Sequence, residues 1–155
     1  MADAQVVTAE LFGSLFVLMQ DLTRRADEQL APLGLTSRQW LLLAVIEKAF
    51  PDSPPTLSEA AAVYGTSRQN VKQIAAQLSQ RGWLHIEADP ADGRATRLVL
   101  TDKVAVFADP AVTAGQVAFL DEVFGGLSDR QRRTLLTLVV RCLRHLATPT
   151  GGHRP

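Results

Sequence analysis

What this 155-residue chain lacks narrows its function before any motif is considered. It has one cysteine, Cys142, which rules out an intramolecular disulfide framework and a cysteine-rich zinc site. His85, His145 and His153 are scattered, with no His-x-x-His pair and no acidic companion at ligand spacing, so no metal is expected. The sequence has no glycine-rich phosphate loop after a strand-like segment, no Ser or Cys nucleophile beside a histidine, and no carboxylate pair in a plausible cleft. Neither an enzyme nor a cofactor is expected. The uninterrupted apolar runs, such as Leu41 to Ile46 and Leu138 to Val140, fall far short of the ~18 residues that span a bilayer. Met1-Ala2-Asp3-Ala4-Gln5 lacks the basic start of a signal peptide. A cytoplasmic protein without a membrane partner is the expectation. Net charge is also absent: 16 Lys and Arg balance 16 Asp and Glu. Any attraction to a polyanion must therefore come from where the charges sit.

The composition that remains, 46% apolar and 21% charged, is that of an ordinary folded domain. Leu11, Leu15, Leu18, Met19 and Leu22 fall on one face of a helix from Thr8 to Leu30, and Phe12 and Phe16 widen that face. Pro32-Leu33-Gly34 ends it, and Thr36 is placed to cap a second helix running through Trp40 to Phe50. After the loop Pro51-Asp52-Ser53-Pro54-Pro55, Thr56 and Glu59 form a capping-box pair, with Ser58 as a competing cap. That short helix should end near Tyr64 and Gly65. Thr66 or Ser67 then caps a helix whose buried face is Val71, Ile74, Ala75 and Leu78, closed by Arg81-Gly82. Two strand-like segments, Trp83 to Ala88 and Thr96 to Leu100, flank a turn containing Asp92-Gly93. Helix, turn, helix and hairpin in this order predict a mainly helical winged helix-turn-helix. Helical patterning resumes at Thr101, with a break or restart at Asp109-Pro110 and a further break at Gly125-Gly126. Ser128 then caps a last helix striped by Leu135, Leu138, Val139, Cys142, Leu143 and Leu146.

One absence is local. No acidic residue lies between Glu59 and Glu87, while Arg68, Lys72 and Arg81 stand there among Gln69, Asn70, Gln73, Gln77 and Gln80. An apolar stripe opposite a face of amides and cations suits a groove lined by phosphates, although a plain solvated face has the same composition. Gln69, Asn70 and Gln73 are the candidates for reading major-groove base edges, and Ser67, Arg68 and Lys72 for holding phosphates. In the hairpin, Arg94 stands near the tip and Arg97 on the returning strand, both candidates for DNA contact. Arg94 is placed to enter a minor groove. Asp92 is expected to fix the Arg94 side chain by a charge-assisted pair; the plain alternative is a surface ion pair of little consequence.

The run Asp92, Arg94, Ala95, Leu98, Leu100, Thr101 resembles the wing signature of the multiple-antibiotic-resistance-regulator (MarR) family. Leu33-Gly34-Leu35-Thr36 with Gln39-Trp40 is similar to the start of that family's second helix. Leu57-Ser58-Glu59 and Gly65-Thr66-Ser67-Arg68 are similar to its helix-turn-helix. The chain departs from the pattern at Val104, where glycine is frequent, at Gln73, where a cation is frequent, and at the Asp109-Pro110 break. The resemblance implies a homodimer interlocked through its terminal helices. It also implies a pseudo-palindromic operator in double-stranded DNA with half-sites about one turn, ~34 Å, apart.

The apolar surplus of the end helices points the same way. Phe12, Phe16, Met19, Val117, Leu120, Val123, Phe124, Leu135, Val139 and Leu143 exceed what a small winged domain can cover; an intrachain bundle is the alternative. Residues 8–35 and 101–147 are accordingly expected to dimerise, 36–100 to form the winged DNA-binding domain, and 148–155 to be a loose tail. The family also implies repression relieved by a small, often aromatic, effector. Phe16, Met19, Trp40 and residues around Pro110 are the candidate walls, though each also reads as simple core. Cys142, on an apolar stripe, is expected to be a buried, inert thiol. A winged-helix scaffold or ligand-binding protein that does not bind DNA is the competing reading.

Overall fold

Two threonines decide where the winged domain's first helices begin. In the computed structural model, which describes residues 2–147 (the side chain of Ala2 excepted), Thr36 Oγ1 accepts the Gln39 N–H at 3.3 Å. The Gln39 side chain in turn accepts the Thr36 N–H at 3.1 Å, so two orphan donors are satisfied at the start of α2 (Ser37–Ala49). Thr56 and Glu59 repeat the device at 3.3 and 2.7 Å and open α3 (Leu57–Tyr64). The competing cap, Ser58, lies inside that helix. The Thr56 N–H holds the Glu59 carboxyl below its ordinary range. Gly65, at φ +77°, ends α3 in a conformation that strains any residue with a side chain. Ser67, rather than Thr66, then caps α4 (Arg68–Gln80), accepting the Asn70 N–H at 3.2 Å.

The apolar faces of these helices make the core. Leu42, Leu43 and Ile46 of α2 meet Leu57, Ala60 and Ala61 of α3, together with Val71, Ile74, Ala75 and Leu78 of α4. The four residues expected on the buried face of α4 are all buried. Trp83 and Leu84 close the core from one side and Leu98 from the hairpin. The strand predicted from Trp83 begins one residue later, because the Trp83 N–H still bonds back to the Leu78 carbonyl at 3.0 Å. β1 (Leu84–Ala88) and β2 (Thr96–Leu100) pair antiparallel, in register from Leu84 opposite Leu100 to Ala88 opposite Thr96. The loop before α3 adds a short third edge: Thr56 bridges Arg97, and Leu98 N–H donates to the Pro55 carbonyl at 2.9 Å. The fold is thus mainly helical with a two-stranded wing.

α1 (Ala2–Leu30) starts six residues before the expected Thr8. Val7 extends the Leu11, Leu15, Leu18 line by one turn, and Asp3 suits the positive end of the helix dipole. Its extension corrects one expectation: the stretch Asp3–Leu33 is long and apolar enough to cross a membrane by length and composition. No uninterrupted apolar run reveals this, because Gln5, Thr8, Glu10 and Ser14 are spread through it.

After the wing, Asp102–Ala108 form a 3₁₀ segment rather than regular helix. Lys103 Nζ donates to the Arg81 carbonyl at 2.8 Å and lies 4.5 Å from the centre of the Trp83 ring, fixing the end of α4. The restart expected at Asp109-Pro110 is present: Asp109 accepts the Ala111 N–H at 2.8 Å and α5 (Pro110–Phe124) begins. Ser128 and Gln131 cap one another at the start of α6 (Asp129–Ala147). The chain divides into two units, one reaching Thr113 and the other starting at Ala114. In the first, Phe12, Phe16 and Met19 of α1 are exposed; in the second, Val117, Leu120, Val139 and Leu143 are exposed. Cys142 is exposed as well, contrary to the expected burial, because the α6 stripe it belongs to is uncovered in a single chain. The expected tail, residues 148–155 with His153, lies outside the described residues.

Candidate nucleic-acid interface

At 3.6 residues per turn, the buried line of α4 through Val71, Ile74, Ala75 and Leu78 fixes where its other side chains stand. Gln69, Gln73, Ala76 and Gln80 form the opposite, outward line, and all four are exposed. Arg68 and Lys72 lie on the flank facing the wing. They line, with Gln69, Ala76, Ile86, Arg94 and Thr96, one open groove of about 610 Å³ between helix and hairpin. Arg68 and Arg94 also border an adjoining hollow with Thr56, Ser58 and Asp92. Three cations from two elements thus share one concave surface. Among its described lining residues Asp92 is the only acid.

Asn70 is placed differently from the expectation. It lies on the far flank, half-buried, and its amide is engaged at both ends. Nδ2 donates to Thr66 Oγ1 at 2.9 Å, and Oδ1 accepts from the Arg38 guanidinium at 3.3 Å. Gln77 and Arg81 continue that flank. Buried Gln39 donates to Gln77 Oε1 at 3.0 Å, and Arg81 donates to the Gly34 carbonyl. One side of α4 is therefore tied by polar bonds to the α2 segment, while the other faces the wing groove.

The wing also departs from expectation in two residues. Asp92 accepts the Arg94 backbone N–H at 3.0 Å, so it shapes the turn and leaves the Arg94 guanidinium exposed. The reason is reach: two residues apart in a tight turn, the carboxylate meets the N–H first. Arg97 points inward. Its guanidinium pairs with Asp89 at 2.9 Å and donates to the Pro54 carbonyl at 2.6 Å and to Ser53 Oγ at 3.2 Å. Arg97, half-buried, thus braces the wing against the loop. Asp89 was missed in the sequence, although an Asp-Pro at a strand end is an ordinary sign of an Asx turn. Ala76 and Arg38 were missed too; the helical spacing from Gln69 marks Ala76, whereas only the fold brings Arg38 to α4.

Phe16, Met19 and Trp40 do not share any of the described hollows. Phe16 packs edge-to-face on Phe12 at 4.9 Å, and Trp40 is 37% exposed. Met19 borders an open hollow with Thr23, Arg24 and Arg38 that neither aromatic lines. Among the described residues no group of His, Cys, Asp and Glu is placed to hold a metal.

The sequence pattern of the MarR family matches residues 33–95, from the turn before α2 to the wing tip. The winged domain belongs to the MarR family. That family comprises transcription regulators and not enzymes. Solved MarR structures share the fold well beyond the matched segment. A mutant MarR from E. coli, crystallised with operator DNA, is 22% identical, with a TM-score of 0.76 over 86% of this chain and 94% of that one. A MarR protein from Peptoclostridium difficile is 15% identical, with a TM-score of 0.75 over 88% and 87% of the two chains. A MarR-like protein from Bacillus cereus is 20% identical, with a TM-score of 0.72 over 91% and 99%. At these identities the likeness is one of fold, and it extends the MarR architecture to the end helices.

Proposed function

We propose that this chain is a cytoplasmic, homodimeric transcription regulator that binds double-stranded DNA at a pseudo-palindromic operator. The observation that carries this is the shared groove in which Arg68 and Lys72 of α4 stand beside Arg94 of the wing, next to an acid-free outward line of Gln69, Gln73 and Gln80. Glutamine amides pair with base edges in the major groove, while the flanking cations and Ser67 seat phosphates. Arg94, exposed at the wing, reaches the neighbouring minor groove. Asn70 acts through Thr66 and Arg38, and Arg97 through Asp89, so both position the surface rather than touch bases.

The exposed apolar residues of α1 and α6 support a second copy of the chain as their cover, as the family's fold implies. Glu10, Asp21, Arg24 and Arg25 along α1 favour that reading over a bilayer. Repression relieved by a small aromatic effector is the mode the family suggests; only Met19 of the three candidate wall residues borders a described hollow. Residues 36–100 are assigned to DNA binding, and 8–35 with 101–147 to dimerisation.

Selection from a random duplex pool at about 150 mM salt tests the reading. Enrichment of a palindrome with half-sites about one turn apart supports it. Failure to enrich any sequence, from protein that is folded, dimeric and stripped of small molecules by refolding, overturns it in favour of a scaffold.

A further inference from the structure

The wing groove accounts for cations on one flank of α4 only. A helix lying in a major groove is bordered by two phosphate backbones, one on each side. On the flank away from the wing, Asn70, Gln77 and Arg81 are occupied with intramolecular bonds. A cation bonded to that flank from another element is Arg38, in the first turn of α2, exposed and held through its guanidinium to Asn70 Oδ1 at 3.3 Å. Asn70 is itself anchored by Thr66 at 2.9 Å in the turn that opens α4. Thr66, Asn70 and Arg38 thus form a relay that ends in a guanidinium beside the first turn of the recognition helix.

We propose, on the reading of α4 as a DNA-recognition helix, that Arg38 is a further phosphate-binding residue, clamping the backbone strand opposite the one met by Arg68 and Lys72. Two features fit that role. Among the described residues Arg38 makes no ion pair with a carboxylate, and its guanidinium bonds a neutral amide instead. The acids that border its hollow are already engaged: Asp27 accepts the Ser37 N–H at 2.6 Å and Glu28 pairs with Arg24 at 2.9 Å. The second feature is pre-orientation. A guanidinium held by a neutral amide loses less freedom when it meets a phosphate, and it keeps its remaining N–H groups for bidentate bonding. Asn70 is then a positioning residue, which explains why its amide does not point outward with Gln69 and Gln73.

The test compares wild type, Arg38→Ala and Arg38→Lys on the selected operator and on unrelated duplex, over a series of salt concentrations, with circular dichroism confirming that each is folded. Arg38→Ala is expected to weaken both DNAs about equally, by about tenfold at moderate salt. It should also lower the slope of log affinity against log salt by about two per dimer, one phosphate for each copy. Arg38→Lys should restore most of the slope, since a point charge still neutralises a phosphate. An unchanged slope in Arg38→Ala, with steep binding by wild type, overturns the clamp and leaves the DNA-binding reading intact. A changed base preference at one operator position overturns it as well, since Arg38 would then act at a base or through α4. Wild type that binds no duplex at all overturns the functional reading, and the clamp with it.

Discussion

Asp89 and Arg97 meet at 2.9 Å at the root of the wing, with the carboxylate only 7% exposed. The same carboxylate accepts the Ala91 N–H at 2.9 Å, and the Asp89 N–H donates to the Ala95 carbonyl at 2.9 Å. From its other side Arg97 holds the Pro54 carbonyl and Ser53. The pair therefore joins three segments: the end of β1, the middle of β2 and the loop that leads into α3. The wing's pose relative to α4 depends on it.

A pH dependence follows from this pair. The Ala91 N–H first, and the Arg97 guanidinium second, hold the Asp89 carboxyl below its ordinary value of 3.8. A carboxyl with a lowered value in the folded state stabilises fully above 3.8, and that contribution is lost as pH falls through the folded value. Between neutral pH and pH 5 the melting temperature should show no loss from this pair, and below about pH 4 it should drop. In Asp89→Asn the melting temperature at neutral pH should be lower and its acid decline shallower, both read by thermal denaturation. An acid decline as steep in Asp89→Asn as in wild type would assign the decline to other groups.

The outward line of α4 separates two kinds of DNA contact. Gln73→Ala is expected to relax preference at one operator position, with a cost of about 1–3 kcal/mol against the best site. Lys72→Ala and Arg94→Ala should weaken all sequences about equally and reduce the salt slope. Competition binding on operator variants distinguishes these patterns. Identical behaviour of the Gln73 and Lys72 variants would mean that the division of roles is mistaken.

The helix boundaries of the winged domain were readable because each rests on a local device. Thr36 with Gln39, Thr56 with Glu59, and Ser67 ahead of Asn70 are short-range hydrogen bonds written into neighbouring residues. The buried face of α4 was readable for the same reason, since its period comes from the helix itself. The contacts of Asn70, Asp92 and Arg97 were not readable because each depends on a partner that spacing alone does not choose. Arg38 lies 32 residues before Asn70, and Pro54 lies 43 before Arg97. Asp92 had two donors within reach, and the backbone N–H took it. Cys142 shows the converse: a stripe in the sequence says that a face is apolar, not that this chain covers it.

The polar seam between α2 and α4 has its own consequence for stability. Gln39 is 4% exposed, and its amide is satisfied on one side by Gln77 and on the other by the Thr36 N–H. Gln77→Ala removes the acceptor and strands a buried amide donor, at a cost of about 1–3 kcal/mol. Gln80→Ala, on the exposed line of the same helix, should change stability by no more than about 0.5 kcal/mol. Urea unfolding of the two variants measures the difference. Equal stabilities would show that the Gln39 amide is satisfied by other means.

The end helices carry the test of the dimer. Phe12 is 65% exposed on α1 and Leu143 is 61% exposed on α6, each on a face with further exposed apolar residues. Full burial of such a side chain is worth roughly 1.5–3 kcal/mol. In a two-fold dimer one substitution removes the contact twice, so roughly 3–6 kcal/mol of association free energy is at stake. Leu143→Asp, and separately Phe12→Asp, should therefore weaken self-association by about a hundredfold or more. Sedimentation over a range of concentrations reads this directly: wild type should run as a dimer at micromolar concentration, with the variants shifted toward monomer. DNA affinity should fall in parallel, because two half-sites are no longer bound by one linked pair of helices. A wild type that stays monomeric at every concentration would remove the dimer from the functional reading, and a dimer untouched by either substitution would move its interface to another face.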